Sequence, residues 1–385
     1  MITITGRNAP ALFREALYKM RTFALEENSR NGPVRSILSP VVLRLMQPDE
    51  RVITDPTRDA NPFFHVMEFV WMMAGSNDIQ WIAHFNKNML NFSDNGVTQH
   101  AAYGARWRNH FWFDQIKGVI KLLKENPLDR RLVINTWDPE ADLGHSGVDV
   151  PCNTQLLFRV VDGELQMSVI NRSNDLIWGA LGANICHMTM LQELIARSAG
   201  LPMGEYYVFT QNLHIYESVP NFDYYMGGAY SGENVYARQN YTVRPYPLLS
   251  GNETYADFVE DCLNMVGLPK QPSGPIRTQW MRNVAAPMHK VWWGRKAGLP
   301  YDTNEILADD WRIACEEWIS RRNATVGDKR RDYYAGVLSR QQMAEGVDIS
   351  SLQPDPLAGV DSSQPDVGTT TPESGTDGAV STEPL

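Results

Sequence analysis

Cysteine is scarce in this chain: Cys152, Cys186, Cys262 and Cys315 are the only four among 385 residues. None forms a CxxC pair, which argues against a zinc site of the usual spacing, and no metal is expected. Scattered thiols suit a reducing compartment, so a cytoplasmic location is expected, the host cytoplasm if the protein is viral. No stretch approaches the roughly 18 consecutive apolar residues of a membrane span. The start, MITITGRNAPALFREALYKM, lacks a basic segment followed by an apolar core, so no signal peptide is expected. Basic charge is also in short supply. The formal net charge is −10, and residues 341–385 hold eight acids with no Lys or Arg. Setting those eight aside leaves −2 for residues 1–340. A nearly neutral body has no basic stripe for general nucleic-acid binding, although local arginine clusters could still hold a small anion.

What is present is apolar bulk, 43% of the chain, enough for a large core. Helical spacing marks Pro10 to Leu25, Phe63 to Ala74 with Gly75 as its stop, Phe113 to Lys124, and Asn184 to Gly200. Strand signals mark residues 35–46, Arg131 to Trp137, and Tyr206 to Ile215. Gln155 to Val161 and Glu164 to Ile170 flank Asp162-Gly163, a hairpin signal. The pattern predicts an α+β fold, a mixed sheet with long helices packed against it. Beyond about residue 225 a Gly/Tyr-rich loop leads to helices over 254–267, 277–295 and 304–322. Asp302 and Glu305 resemble a capping box for the last. Its Ile306, Leu307, Trp311, Ala314, Cys315, Trp318 and Ile319 are expected on one docking face. The expected organisation is a catalytic domain over 1–225, a helical C-terminal extension over 226–340, and a disordered acidic tail over 341–385.

The stretch DVPCNTQ, residues 149–155, places a thiol just before an apolar strand. Cys152 is either a small buried hydrophobe or a nucleophile. Its surroundings must decide, because a thiolate needs cationic or hydrogen-bonding support. Arg172-Ser173-Asn174-Asp175 follows the second hairpin strand, so the hairpin can return Arg172 towards Cys152. Arg with Ser suits a phosphate, and nearby cations lower a thiol pKa. Arg130-Arg131 and Arg30 are further cationic elements. Asn184 opens a buried helix, as an N-cap or as a ligand contact. His214 and Tyr216 alternate along a strand and point the same way. Glu68 interrupts an apolar helix, which is costly unless the acid is paired or functional.

Six segments in order then resemble the thymidylate synthase family, which includes the pyrimidine nucleotide hydroxymethylases. They are EFVWMMAG (Glu68 to Gly75), AYGARWR (Ala102 to Arg108), DRRLVINTW (Asp129 to Trp137), PCN (Pro151 to Asn153), NRSNDLIWGALGAN (Asn171 to Asn184) and NLHIY (Asn212 to Tyr216). The resemblance covers about residues 25–220 and implies the fold of that family. It implies a pyrimidine deoxynucleotide as substrate and 5,10-methylenetetrahydrofolate as one-carbon donor. It makes Cys152 the nucleophile that adds to C6 of the pyrimidine. It sets the phosphate among Arg30, Arg172 and Ser173, with Arg130 and Arg131 supplied by the second subunit of a homodimer. His214 and Tyr216 would hold the sugar hydroxyl, Glu68 would run proton transfers, Tyr103 would assist loss of the C5 proton, and Asp175 would bond the pterin. The Asn184 amide offers a donor and an acceptor, matching uracil O4 and N3–H and favouring dUMP over dCMP.

The chain departs from the family pattern in four places. Asn153 replaces a His, Asn171 replaces a Gln, and the Trp expected ahead of the AYG motif is missing, with Phe92 nearby. The usual apolar C-terminal closing segment is absent. A synthase must exclude water, whereas a hydroxymethylase must admit it. The expected activity is therefore dUMP hydroxymethylation, as suits viruses that modify their DNA. The alternatives are thymidylate synthesis and, more weakly, a non-catalytic binding protein on a synthase body.

Overall fold

The computed structural model of the chain describes residues 1–228, 232–237, 243–267 and 272–323. The acidic tail and the end of the extension lie outside the described residues. The strands are β1 (Ile2–Gly6), β2 (Ala24–Ser29), β3 (Gly32–Ile37), β4 (Val41–Leu45), β5 (Val133–Asn135), β6 (Asn153–Val161), β7 (Glu164–Asn171), β8 (Asn174–Asp175), β9 (Met203–Thr210) and β10 (Leu213–Tyr216). They form a six-stranded mixed sheet in the order β1-β4-β9-β7-β6-β5 and a four-stranded one in the order β2-β3-β10-β8. The longer helices are α1 (Ala9–Phe23), α2 (Pro62–Met73), α3 (Gln115–Glu125), α4 (Asn184–Ala199), α5 (Tyr255–Gly267), α6 (Ala286–Ala297) and α7 (Asp309–Asn323). This is the expected α+β class.

The β6–β7 hairpin turns on Asp162 and Gly163, with φ of 51° and 84°. Both are positive, as a tight hairpin matching strand twist requires. Antiparallel register then runs from Val161 opposite Glu164 to Asn153 opposite Asn171. The open end of the hairpin therefore carries Cys152 beside Arg172, whose backbone N–H donates to the Cys152 carbonyl at 3.1 Å.

Helix α2 starts at Asn61, whose side chain accepts from the Phe64 amide at 3.1 Å, with Pro62 in the first turn. Gly75, at φ 67°, lies just past its end. The helix is apolar nearly all round, and such a helix must be covered on every side. It contacts α4, and it also contacts α5, α6 and α7 from the C-terminal region. Phe63 packs on Trp292 and Trp318, with ring centroids 5.6 and 5.5 Å apart. At Gly104 a Cβ would stand 1.9 Å from the Met72 carbonyl oxygen. Only glycine lets the turn carrying Tyr103 lie so close to α2.

Several segments are shorter than their composition predicts. Residues 35–46 are two strands in different sheets, β3 and β4, broken before Pro40, which has no N–H to give a ladder. Residues 206–215 likewise divide between β9 and β10 at Gln211 and Asn212, where the chain passes from one sheet to the other. The strand expected over Arg131 to Trp137 is only Val133–Asn135. The Thr136 and Trp137 amides both turn to the Thr154 carbonyl, which ends the ladder. Asp302 caps a single turn, Thr303–Glu305, rather than α7, which begins at Asp309. Trp311, Ala314, Cys315, Trp318 and Ile319 are buried together, with Ile306, but Leu307 is exposed.

Candidate active site

A cavity of about 600 Å³ opens between β3, β10, the N-terminal ends of β6 and α4, and one face of α2. Its size suits a small-molecule site. It brings together Arg30, Glu68, Tyr103, Cys152, Arg172, Ser173, Asp175, Asn184, His214 and Tyr216. It does not include Arg130 or Arg131. Both are exposed, and Arg131 donates twice to Asp129, at 3.1 and 2.6 Å.

Cys152 borders this cavity, and the Arg172 Nη2 lies 3.8 Å from its sulfur. The guanidinium is fixed by the Pro151 carbonyl at 2.9 Å and the Val150 carbonyl at 3.1 Å. The expected cationic support is present, but it is outweighed. Burial pushes the Cys152 pKa up, and Arg172 and then Arg30 only partly oppose it. The resting group is a thiol with a cation ready to stabilise its anion. The remaining cysteines are buried in the core.

Glu68 faces the same space from α2. Burial raises its carboxyl to about 8, so it holds a proton at neutral pH. Among the described residues its Oε2 has no hydrogen-bond partner, and His187 Nε2 is 3.5 Å away. His187, itself driven down to about 3 by burial, points Nε2 at the His65 carbonyl at 3.0 Å. The imidazole is thus neutral and does not offset the carboxyl. Burial also raises the Tyr103 phenol, which lies against the Cys152 and Asn153 backbone amides. Asn184 has helical dihedrals and makes no capping bond; the residue before it starts the helix. Its amide therefore remains available to the cavity.

At the other end, His214 Nδ1 meets the Asn212 Oδ1 at 2.7 Å, and burial lowers the imidazole to about 4. With Nδ1–H donating, Nε2 is an acceptor. The Tyr216 hydroxyl is 3.5 Å from the Asn31 amide nitrogen, and Ser173 Oγ is 3.5 Å from Asn212 Oδ1. Asp175 accepts from the Ile177 and Trp178 amides at 3.2 and 2.7 Å, and burial raises it to about 6.

Two departures from the family pattern touch each other. Asn153 and Asn171 are opposite in register, both buried, and the Asn171 amide donates to the Asn153 side-chain oxygen. Phe92 lines the cavity rim while 45% exposed. Among the cavity residues to which sequence reasoning gave no role is Asp149, buried and raised to about 6 chiefly by desolvation. The available signal was an acid set between Val148 and Val150 immediately ahead of the Pro-Cys pair.

The thymidylate synthase family model matches residues 43–224. A protein of Pseudomonas phage M6, named deoxyuridylate hydroxymethyltransferase, is 40% identical over 338 residues, covering 84% of this chain and 95% of that protein. The chain belongs to the thymidylate synthase family. Two further proteins of the same name are similar to this family member. That of Bacillus phage SP01 is 38% identical over 56% of this chain and 59% of its own length. That of Delftia phage PhiW-14 is 32% identical over 49% and 55%. The M6 match covers more of the chain than residues 1–225 can supply, so the family likeness runs into the C-terminal helices, beyond the motif-bearing part.

Proposed function

We propose that this family member is a deoxyuridylate hydroxymethyltransferase, converting dUMP to 5-hydroxymethyl-dUMP. The observation that carries the reading is Cys152 with Arg172 at 3.8 Å from its sulfur, in a cavity whose other groups match a pyrimidine nucleotide. The extended likeness to a phage protein of that name supports it.

Family membership implies a folate one-carbon donor, and we take it to be 5,10-methylenetetrahydrofolate. The cavity suits a pterin. Phe92 offers an exposed apolar face at the rim, with Trp71 and Met72 packed behind the wall, and the Asp175 carboxyl offers acceptor positions for ring N–H groups. When bound, the donor supplies a carbon at the formaldehyde oxidation level.

The chain's own residues do the rest. Arg30, Arg172 and Ser173 hold the phosphate, Arg by its planar fork. His214 Nε2 and the Tyr216 hydroxyl take the sugar hydroxyl. The Asn184 amide reads O4 and N3–H of uracil. Sulfur of Cys152 adds to C6, and the C5–C6 π pair moves onto O4, making C5 nucleophilic. Arg172 stabilises the thiolate as it forms and as it leaves. Glu68, protonated and dry, supplies the proton for O4. Tyr103 assists removal of the C5 proton. Arg130 and Arg131 lie outside the cavity of their own chain, and we assign them to the phosphate of a second copy in a homodimer.

We further propose that residues 1–225 are the catalytic unit and 226–340 its helical extension, and that the protein works in the cytoplasm of the infected cell. Among the described residues no helix is long and apolar enough to cross a membrane. The deciding test supplies dUMP and methylenetetrahydrofolate and identifies the product by mass. A hydroxymethylated nucleotide with tetrahydrofolate is expected; dTMP with dihydrofolate would overturn the proposal in favour of thymidylate synthesis.

A further inference from the structure

We propose that Asp149 is the base that activates the water completing the hydroxymethyl group. The inference rests on the hydroxymethyltransferase reading above and adds the residue that separates that outcome from methylation.

Asp149 stands three residues before Cys152 on the same extended segment, and both border the cavity. Its charge bears on both Cys152 and Tyr103. Oδ2 accepts from the Ala101 amide at 2.8 Å, and the His100 backbone also faces the carboxylate. These contacts leave lone-pair directions for a water. Trp71, Met72 and Phe92 make up apolar lining in the same space, so a carboxylate there is a distinct place for water to be held.

The wall that carries Asp149 is rigid. Asp94 accepts from the Val148 amide at 2.8 Å and faces His145 Nε2 at 3.0 Å. The His145 ring stacks on His100, with centroids 4.1 Å apart and planes 7° from parallel. His100 Nε2 meets Asp142 at 2.8 Å, and Arg106 donates to both oxygens of Asp142 at 2.9 and 2.8 Å. A base fixed in this way loses little to reorganisation.

Glu27 also lines the cavity, where its charge bears on His214; the other two acids have tasks of their own. Glu68, raised to about 8, carries a proton at neutral pH and acts as a donor. Asp175 caps the turn after β8 through both oxygens. Asp149, at about 6, is mostly ionised. Asp94 raises it and Arg106 lowers it, while Tyr103 and Cys152 face it across the site. Two carboxyls whose environments set their protonation apart divide acid from base.

The step balances without a further reactant. The pyrimidine, joined to Cys152 through C6, carries an exocyclic methylene on C5. Water oxygen bonds to that methylene carbon, the exocyclic π pair moves through C5 onto O4, and the proton lost by water goes to Asp149. Return of the electron pair from O4 rebuilds the C5–C6 bond and expels the Cys152 sulfur. The proton then leaves Asp149 for solvent.

The test uses the full chain with Asp149→Asn, which keeps an oxygen for the Ala101 amide. Hydroxymethyl product should fall about 10²–10⁴-fold. Covalent trapping by 5-fluoro-dUMP with methylenetetrahydrofolate should persist within about threefold, because nucleophile and donor sites are intact. Asp149 and Asp175 both lie near 6, so the acidic limb of wild-type product formation should approach a two-proton slope near that pH; Asp149→Asn should cut the slope of its residual rate to one proton, and Asp149→Glu should restore part of the rate. Unchanged product formation by Asp149→Asn would overturn the role of Asp149 alone. So would an equal loss of trapping and product, which marks a structural residue. A wild-type enzyme that makes dTMP would overturn the parent reading and this inference with it.

Discussion

The floor and the rim of the cavity are chemically opposite. Around α2 and α4, burial holds ionisable groups in their uncharged forms: Glu68 protonated, His187 neutral, Tyr103 a phenol. At the rim, the guanidiniums of Arg30 and Arg172 are exposed and permanently charged, with Arg130 and Arg131 on the surface beyond. Cys152 sits where the two meet, raised by the dry side and opposed by the cationic one. The contrast separates two tasks. In the function proposed above, phosphate is captured by charge that salt can screen, whereas proton handling depends on exclusion of water and responds to pH.

The sharpest way to break this division is at the junction. Cys152→Ala should reduce product formation by at least about 10⁴-fold and abolish covalent trapping by 5-fluoro-dUMP, visible as a mass shift on the denatured chain. Retained turnover would dissolve the distinction between floor and rim. Next comes the floor: Glu68→Gln should lower kcat about 10²–10⁴-fold with little change in KM for dUMP. A change confined to KM would move Glu68 from proton transfer to binding. The rim should behave in the opposite sense. Substituting both Arg130 and Arg131 by Ala should raise the dUMP KM on the order of tenfold or more, and wild-type KM should climb with ionic strength. Mixing that variant with Cys152→Ala should regenerate high-affinity sites if the arginines act across subunits. Failure to regenerate them would argue against the shared site.

The smallest effect is on stability. Glu68 has a folded value near 8 against an ordinary 4.5. For a group raised on folding, the stabilising contribution is complete below the unfolded value and lost as pH rises through the folded one. Wild type should therefore lose about 1–3 kcal/mol between pH 5 and pH 9 from this group, less than the full shift implies because the carboxyl borders a cavity. Glu68→Gln should flatten that slope in denaturant titrations. An identical slope in both proteins would mean that Glu68 is not held protonated.

Much of this was legible from residue order because the decisive signals are local. Asp162-Gly163 announces a hairpin, and the hairpin alone brings Arg172 to Cys152. An acid inside FFHVMEFVWMM marks Glu68 by its cost. Other features depend on partners distant in sequence. Nothing in residues 35–46 or 206–215 says that each run serves two sheets, since β-branched and aromatic residues fit either. The strands β1 and β2 went unread, β2 because its residues are exposed and polar on a sheet edge. Asp149 looks like an ordinary loop acid until Ala101, Cys152 and Tyr103 close around it. Leu307 fits a helical face by spacing, but the chain there is a link between a single turn and α7.

The packing of Trp292 and Trp318 on Phe63 ties the chemistry to the far end of the sequence. A chain cut ahead of Asp309 would keep every group named in the cavity yet strip one flank of the helix that bears Glu68. The helix would lose part of its seat, and the placement of Glu68 at the cavity would loosen with no cavity residue removed. Trp318, remote from the cavity and 1% exposed, thereby becomes part of the footing on which the proton-handling helix stands.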